Sequence, residues 1–256
     1  MYNNIVIIGN KNYKNLKLNN ILDSFNNNIR FNFGLPNNNN GTKFDNIVLN
    51  NHVFEYAKKS LEEKINKYCE FFSISEQHIT NFHNNLNKFK YIIKQSNNWH
   101  QFNTFLKNVK CPYNFTHLPR IGYMQIMNFV INNKKVFVYG FSIENIYDEH
   151  LYVKNLKYGN QNDDHIKRTG HNWDIEIKIL YWLHNNNFID ATLCFLEDTE
   201  TPIINCKFIK PSIEIITTIL KYYPTCILKD YLNNNYNTHE YFTNISFDNN
   251  DCIIKL

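Results

Sequence analysis

One histidine stands where acid–base chemistry is easy to arrange. His171 lies in Thr169-Gly-His-Asn-Trp-Asp-Ile-Glu176, with a glycine before it, carboxylates at 174 and 176, and a helical pattern behind it. A helix N-terminus disfavours an imidazolium, so the ring stays neutral and can take a proton near pH 7. A neighbouring carboxylate can orient it. The plainer role for the same residue is helix entry and capping. Upstream, His150, Tyr147, Tyr152 and Tyr158 fall in a long polar stretch, with His165 behind them. Tyrosine hydroxyls there can donate to a phosphate; their plainer duty is to anchor the stretch on the core. At the other end of the chain, Ile5–Ile8 is a short apolar run that stops at Gly9-Asn10. A β-branched run of this kind reads as a buried parallel strand. Ligands in open α/β sheets sit at the carboxyl ends of strands, which puts Asn10 in a ligand crevice.

Several other chemistries have no support. There is no G-x-G-x-x-G, no Gly-Lys-Ser/Thr of a Walker loop, no G-x-S-x-G and no H-E-x-x-H. Asp163 and Asp164 are consecutive, so their carboxylates need not converge. Asp198-Thr-Glu200 faintly resembles an Asp-x-Asp metal site and reads better as a solvated turn.

The elements that would position these residues alternate. After the Ile5–Ile8 strand, Leu16 to Phe25 predicts a short helix or turn, residues 29–33 a second strand and 46–50 a third. Val53, Phe54, Ala57, Leu61, Ile65 and Tyr68 recur at three and four, the period of an amphipathic helix. Further strands are predicted at 89–93, 135–140 and 190–195. Helices are predicted around 99–106, 121–130, 173–184 and 211–222, and a small hairpin in the tail. The strand at 135–140 also ends in a glycine, Gly140. Residues 144–170 have little periodicity and predict a lid. This pattern predicts a single α/β domain over 1–256, with a mostly parallel sheet and flanking helices.

Composition bounds the rest. The 256 residues include 20 Phe and 17 Tyr, enough for a sizeable core. Asparagine clusters such as Asn37–Asn40 and Asn185–Asn187 suit turns. A net charge of +4 without a basic run gives no reason to expect nucleic-acid binding and is compatible with anionic ligands. The six cysteines form no C-x-x-C pair, so they predict free thiols. Three N-x-S/T matches, at Asn40, Asn114 and Asn244, are expected by chance in so Asn-rich a chain. No leader and no apolar run of membrane length is visible, so the expectation is a soluble or cytoplasmic protein.

Taken together, the set resembles the sialyltransferases. Gly9-Asn10, Leu22-Asp23-Ser-Phe25, Arg30-Phe-Asn32, Gly41-Thr-Lys43 and Asn50 resemble the large sialyl motif. Ile121-Gly122-Tyr-Met124 through Val138-Tyr-Gly140 resembles the small motif, and His171-x4-Glu176 the very small one. The length and Glu176-Ile-Lys178 are most similar to the compact bacterial enzymes of the lipooligosaccharide type. The resemblance implies a GT-A-like modified Rossmann fold, a CMP-sialic acid donor, a glycan acceptor, and neither metal nor cofactor. It implies His171 as general base and Gly9, Asn10, Arg30, Asn32, Asn50, Gly122 and Gly140 around the donor nucleotide. Tyr147 and Tyr152 would hold the leaving phosphate, with Glu176 and Arg120 in support. A homo-oligomer is compatible with it. Two departures stand out. Ile121 occupies the place of a Ser or Thr in the small motif, and the tyrosine spacing in the lid differs from the family's.

Overall fold

The computed structural model describes residues 4–9, 11, 13–31, 36, 39–43, 45–48, 71–75, 91–95, 99–141, 143, 173–234 and 236–256. Among these, β1 (Ile5–Ile8), β2 (Asn27–Phe31), β3 (Asn46–Val48), β4 (Phe71–Ser75), β5 (Tyr91–Gln95) and β6 (Phe137–Tyr139) form one six-stranded sheet. Its order is β5-β4-β3-β2-β1-β6, and every neighbouring pair is parallel. The chain therefore works outward from β1 through β5, then returns to lay β6 on the other side of β1. That reversal makes the β1/β6 boundary the topological switch point, where open α/β sheets bind ligands.

All four residues of β1 are buried, as the continuous apolar run predicts for a strand covered on both faces. On one face, Phe25 packs its ring 4.9 Å from that of Phe137, and Tyr13 stacks 5.4 Å from Tyr139. Helix α1 (Asn19–Asp23) adds Ile21 and Leu22. On the other face, the Phe31 ring meets Phe141 edge-on. Behind them, α3 (Ile121–Ile131) buries Gly122 to Met127 almost without interruption, the pattern of a helix enclosed in core. Helix α2 (His100–Asn108) packs beside α3 and buries Phe102 and Leu106.

Helix α4 (Trp173–Asn185) follows the 144–170 stretch, with Ile179, Leu180 and Leu183 in the core. A second, four-stranded sheet of order β7-β8-β10-β9 closes the chain. It comprises β7 (Ile203–Asn205), β8 (Thr225–Lys229), β9 (Ile245–Asp248) and β10 (Asp251–Lys255). Cys226, Leu228, Cys252 and Ile254 form its buried face, and α5 (Ile213–Leu220) packs on β8. The Ser212 hydroxyl accepts from Ile215 N–H and caps α5, just after the proline that opens it.

Two expectations need correction. Residues 190–195 are not a strand. Asp190 makes one rung with β6, through Asp190 N–H to Val136 O and Val138 N–H to Asp190 O. Its carboxylate then accepts from Thr192 N–H, and the chain coils into a 3-10 helix over Thr192–Phe195. The tail hairpin exists as β9–β10, but it is the edge of the larger second sheet. Strands β4, β7 and β8 were not expected. The 53–68 helix and the 144–170 lid lie outside the described residues.

The ends of β1 and β6 touch. Gly9 N–H donates to Tyr139 O at 2.7 Å, and Lys11 N–H to Gly140 O at 2.9 Å. A Cβ on Gly9 would stand 2.4 Å from the Gly140 carbonyl oxygen, and Gly140 itself has φ +72°. Neither position tolerates a side chain without moving backbone. Gly9→Ala is therefore expected to lower stability by about 1–3 kcal/mol, the usual range for overpacking. An unchanged melting temperature in that variant would refute the close approach.

Candidate functional site

The motif residues assemble in three linked groups around the carboxyl ends of β1, β2 and β6. The first lies beyond β2. Arg30 is fully buried, a costly position for a guanidinium. Its Nε donates to Lys43 O at 2.9 Å and its Nη2 to Asn40 O at 2.8 Å. The Asp23 carboxylate accepts from Thr42 N–H, Thr42 Oγ1–H and Lys43 N–H, at 2.7–3.0 Å. Lys43 Nζ donates to Phe25 O. Burial pushes the Arg30 guanidinium down to about 10, against the opposing pull of Asp23, so it stays charged at neutral pH. Burial alone would raise Asp23, but the hydrogen bonds from Lys43 and Thr42 hold it below its ordinary value. Asp23, Arg30, Gly41, Thr42 and Lys43 thus bond one another, and Gly41 takes the left-handed φ of +88° that the turn requires. Their visible work is to fix the 40–43 turn against the end of β2.

The second group is the Gly9–Gly140 contact, extended by Gly122. A Cβ on Gly122 would lie 2.6 Å from the Phe141 ring, so the first turn of α3 rests directly on the residue after Gly140. The third group joins α3 to α4. Glu176, 1% exposed, accepts from Arg120 N–H at 2.7 Å through Oε1 and pairs with Arg120 Nε through Oε2. Arg120 is the residue that caps α3, and its guanidinium lies over the Tyr123 ring. An acidic residue in the first turn of α4 thereby satisfies the entry of a second helix.

The chain of contacts runs from Gly9 to Gly140, from Phe141 to Gly122, and from Arg120 to Glu176. Segments distant in sequence meet at the switch point. His171, Asn10, Asn32, Asn50, Tyr147 and Tyr152 lie outside the described residues. Asp198 takes a structural post. Its two oxygens accept from the backbone N–H groups of Lys14, Asn15 and Leu16 at 2.7–3.0 Å. Those bonds outweigh burial and hold it below the ordinary carboxylate range. Among the described residues no cluster of three or more His, Cys, Asp or Glu is placed to hold a metal, and no helix is long and apolar enough to cross a membrane.

His184 was missed by sequence reasoning. It is a buried residue in the last turn of α4, whose Nδ1 accepts from Ala191 N–H at 3.0 Å while Nε2–H donates to Lys210 O at 2.8 Å. The only sequence signal is its place one turn after Leu180. The ring ties α4 to the rung beside β6 and to the loop before α5. Burial, reinforced by the charge of Lys135, lowers its pKa below the ordinary 6.5; Asp190 and the Lys210 carbonyl oppose this. A depressed histidine binds fewer protons folded than unfolded, so stability is complete above pH 6.5 and falls as pH drops from there through the folded value. Unfolding by urea at pH 7.5, 6.5 and 5.5 is expected to show this decline, reduced in His184→Gln. A wild-type slope that survives unchanged in the variant would place its origin elsewhere. The depressed Asp23 and Asp198 act in a separate window, below pH 3.8.

A scan against protein-family models gives no match, and a sequence search of curated proteins gives none. Among solved structures, the sialyltransferase CstII from Campylobacter jejuni, in complex with the substrate analogue CMP-3FNeuAc, is similar over 75% of this chain and 81% of that one. The identity is 17% and the TM-score 0.46.

Proposed function

We propose that the chain is an inverting, metal-independent glycosyltransferase of GT-A-like architecture that moves sialic acid from CMP-sialic acid to a glycan hydroxyl. One observation carries the reading. Gly9 meets Gly140 at the switch point of a parallel sheet, Gly122 rests on Phe141 beside it, and Arg120, next to that turn, pairs with Glu176.

In this reading His171 takes the proton from the acceptor hydroxyl as its oxygen attacks the anomeric carbon. The bond to the phosphate oxygen breaks, CMP leaves with the electron pair, and the centre inverts. A single phosphodiester leaving group can be stabilised by hydroxyl donors, the part given to Tyr147 and Tyr152. Asn10, Asn32 and Asn50 hold the nucleotide or sugar. Gly9, Gly122 and Gly140 let β1, β6 and the first turn of α3 pack closely at the edge of the crevice, and Arg30 stiffens its floor. The Arg120–Glu176 pair sets the angle between α3 and the helix that follows the base.

The first test is ligand-induced stabilisation. CMP at about 100 times its Kd is expected to stabilise the protein by about 2.7 kcal/mol, with UDP and NAD giving no comparable shift. Incubation with CMP-sialic acid and an acceptor is then expected to release CMP and form the glycoside. Stabilisation by CMP without turnover would favour a nucleotide-binding protein that has kept the site. Preference for UDP would move the donor to another nucleotide sugar.

A further inference from the structure

The buried face of the six-stranded sheet that carries Arg30 holds a group of polar atoms with no partner among the described residues. They are Nδ2 and Oδ1 of Asn28, Nη1 of Arg30 and the hydroxyl of Tyr139. All three side chains are 0% exposed. Their common face follows from register. Asn28 pairs with Val6, which pairs with Phe137; Arg30 pairs with Ile8, which pairs with Tyr139. Register partners in a parallel sheet point the same way, as do residues two apart in a strand. Asn28, Arg30 and Tyr139 therefore rise from the same face, at two successive levels, on the strands either side of β1. Tyr13, stacked on Tyr139, and Phe25, tilted against Phe137, cover this face.

The unused corner of Arg30 is defined by its used ones. Nε and Nη2 are committed to the carbonyls of Lys43, Asn40 and Gly41. Nη1 is left with N–H donors, and Tyr139 offers an O–H. Burying such groups unpaired costs about 1–3 kcal/mol each, and native interiors rarely leave them so.

We propose that Asn28, Arg30 and Tyr139 enclose an internal water site. The chemistry selects water over an anion. Nη1–H and the tyrosine O–H demand an acceptor, while the Asn28 amide offers both a donor and an acceptor, so the ligand must do both. Charge points the same way. Arg30 already has Asp23 as its counter-ion: Asp23 Oδ1 and Arg30 Nη2 lie 2.8 and 3.2 Å from the one point where a Gly41 Cβ would stand. A second negative charge would leave the pocket with net negative charge in a low dielectric, whereas a water meets two to four partners without adding charge. The bound water bridges β2 to β6 across Ile8, stiffening two strands that share no backbone bond. This site is independent of the transferase reading.

The test is a crystal structure of the full chain at atomic resolution, grown in sodium bromide, beside melting curves of wild type and Tyr139→Phe. An ordered water within hydrogen-bond distance of Arg30 Nη1 and Tyr139 OH is expected, with Tyr139→Phe melting roughly 2–4 °C lower as the water loses a ligand. An anomalous bromide peak at that place overturns the choice of water. A dry pocket, or a Tyr139→Phe variant that melts at or above the wild-type temperature, overturns the site itself. Asn28→Leu is a second variant that reads the same water from its other side, and it too is expected to melt lower.

Discussion

Glu176→Ala lowers the unfolding free energy by about 3 kcal/mol, a large share of the 5–15 kcal/mol typical of a domain. The carboxylate does two jobs that alanine cannot do. It accepts the Arg120 N–H at the entry of α3, and it neutralises the Arg120 guanidinium. Removing one partner of a buried pair leaves the other charged and unsolvated, which costs more than the pair contributes when intact. The Arg120 side chain is 20% exposed, so water softens the loss and the expected value sits at the low end of the range. In urea the midpoint should fall while the slope stays fixed, because the surface exposed on unfolding is unchanged. Glu176→Gln keeps an acceptor for the N–H and loses only the charge, so it should fall between. If both variants unfold at the wild-type midpoint, the α3–α4 joint is held by packing alone.

On the proposed transferase reading, His171→Ala is expected to abolish transfer while leaving CMP binding intact. General-base assistance is typically worth about 10²–10⁴-fold, and the loss should appear in kcat rather than in the affinity for CMP. The wild-type rate should also fall at acid pH as the imidazole protonates, and that limb should vanish in the variant. Full transfer activity in His171→Ala sinks the assignment of the base. Loss of CMP binding together with activity would instead show that the residue shapes the donor site.

Much of the fold was legible because a few runs are unambiguous. Ile5–Ile8 is too short and too β-branched for a helix, and it is a buried central strand. The 3.6 period of 173–184 and the proline-opened 211–222 gave helices of nearly the right extent. The failures have identifiable causes. Asp190-Ala-Thr-Leu-Cys-Phe195 has strand composition, but the Asp190 carboxylate captures Thr192 N–H and turns the chain after one rung, a local bond that composition hides. Strand β8 alternates with period two, yet its buried positions are only Cys226 and Leu228, too few to stand out.

Among the described candidate residues, the packing roles are not legible in the sequence. Sequence reasoning set Arg30 beside the nucleotide, whereas its donors to the 40–43 turn depend on Gly41 adopting a left-handed φ. Nothing in the order of residues reveals that Asp23 reaches back to the same turn from the end of α1. Glu176 was read as a companion of His171, and its bond to Arg120 joins residues 56 positions apart. His184 carries no motif at all, and its importance comes from the two backbone groups that happen to flank it.

The position of β6 has a consequence for how this chain comes into being. As the ribosome extrudes the polypeptide, β1 can pair with β2 early, but its other neighbour, Phe137–Tyr139, is made only after β2 through β5. Until then β1 carries an unpaired row of backbone N–H and C=O groups flanked by wholly apolar side chains. Edges of that kind recruit other nascent chains. Yield in a recombinant host should thus depend on chaperones that cover Ile5–Ile8 during synthesis, and an amino-terminal fragment that stops short of β6 should aggregate.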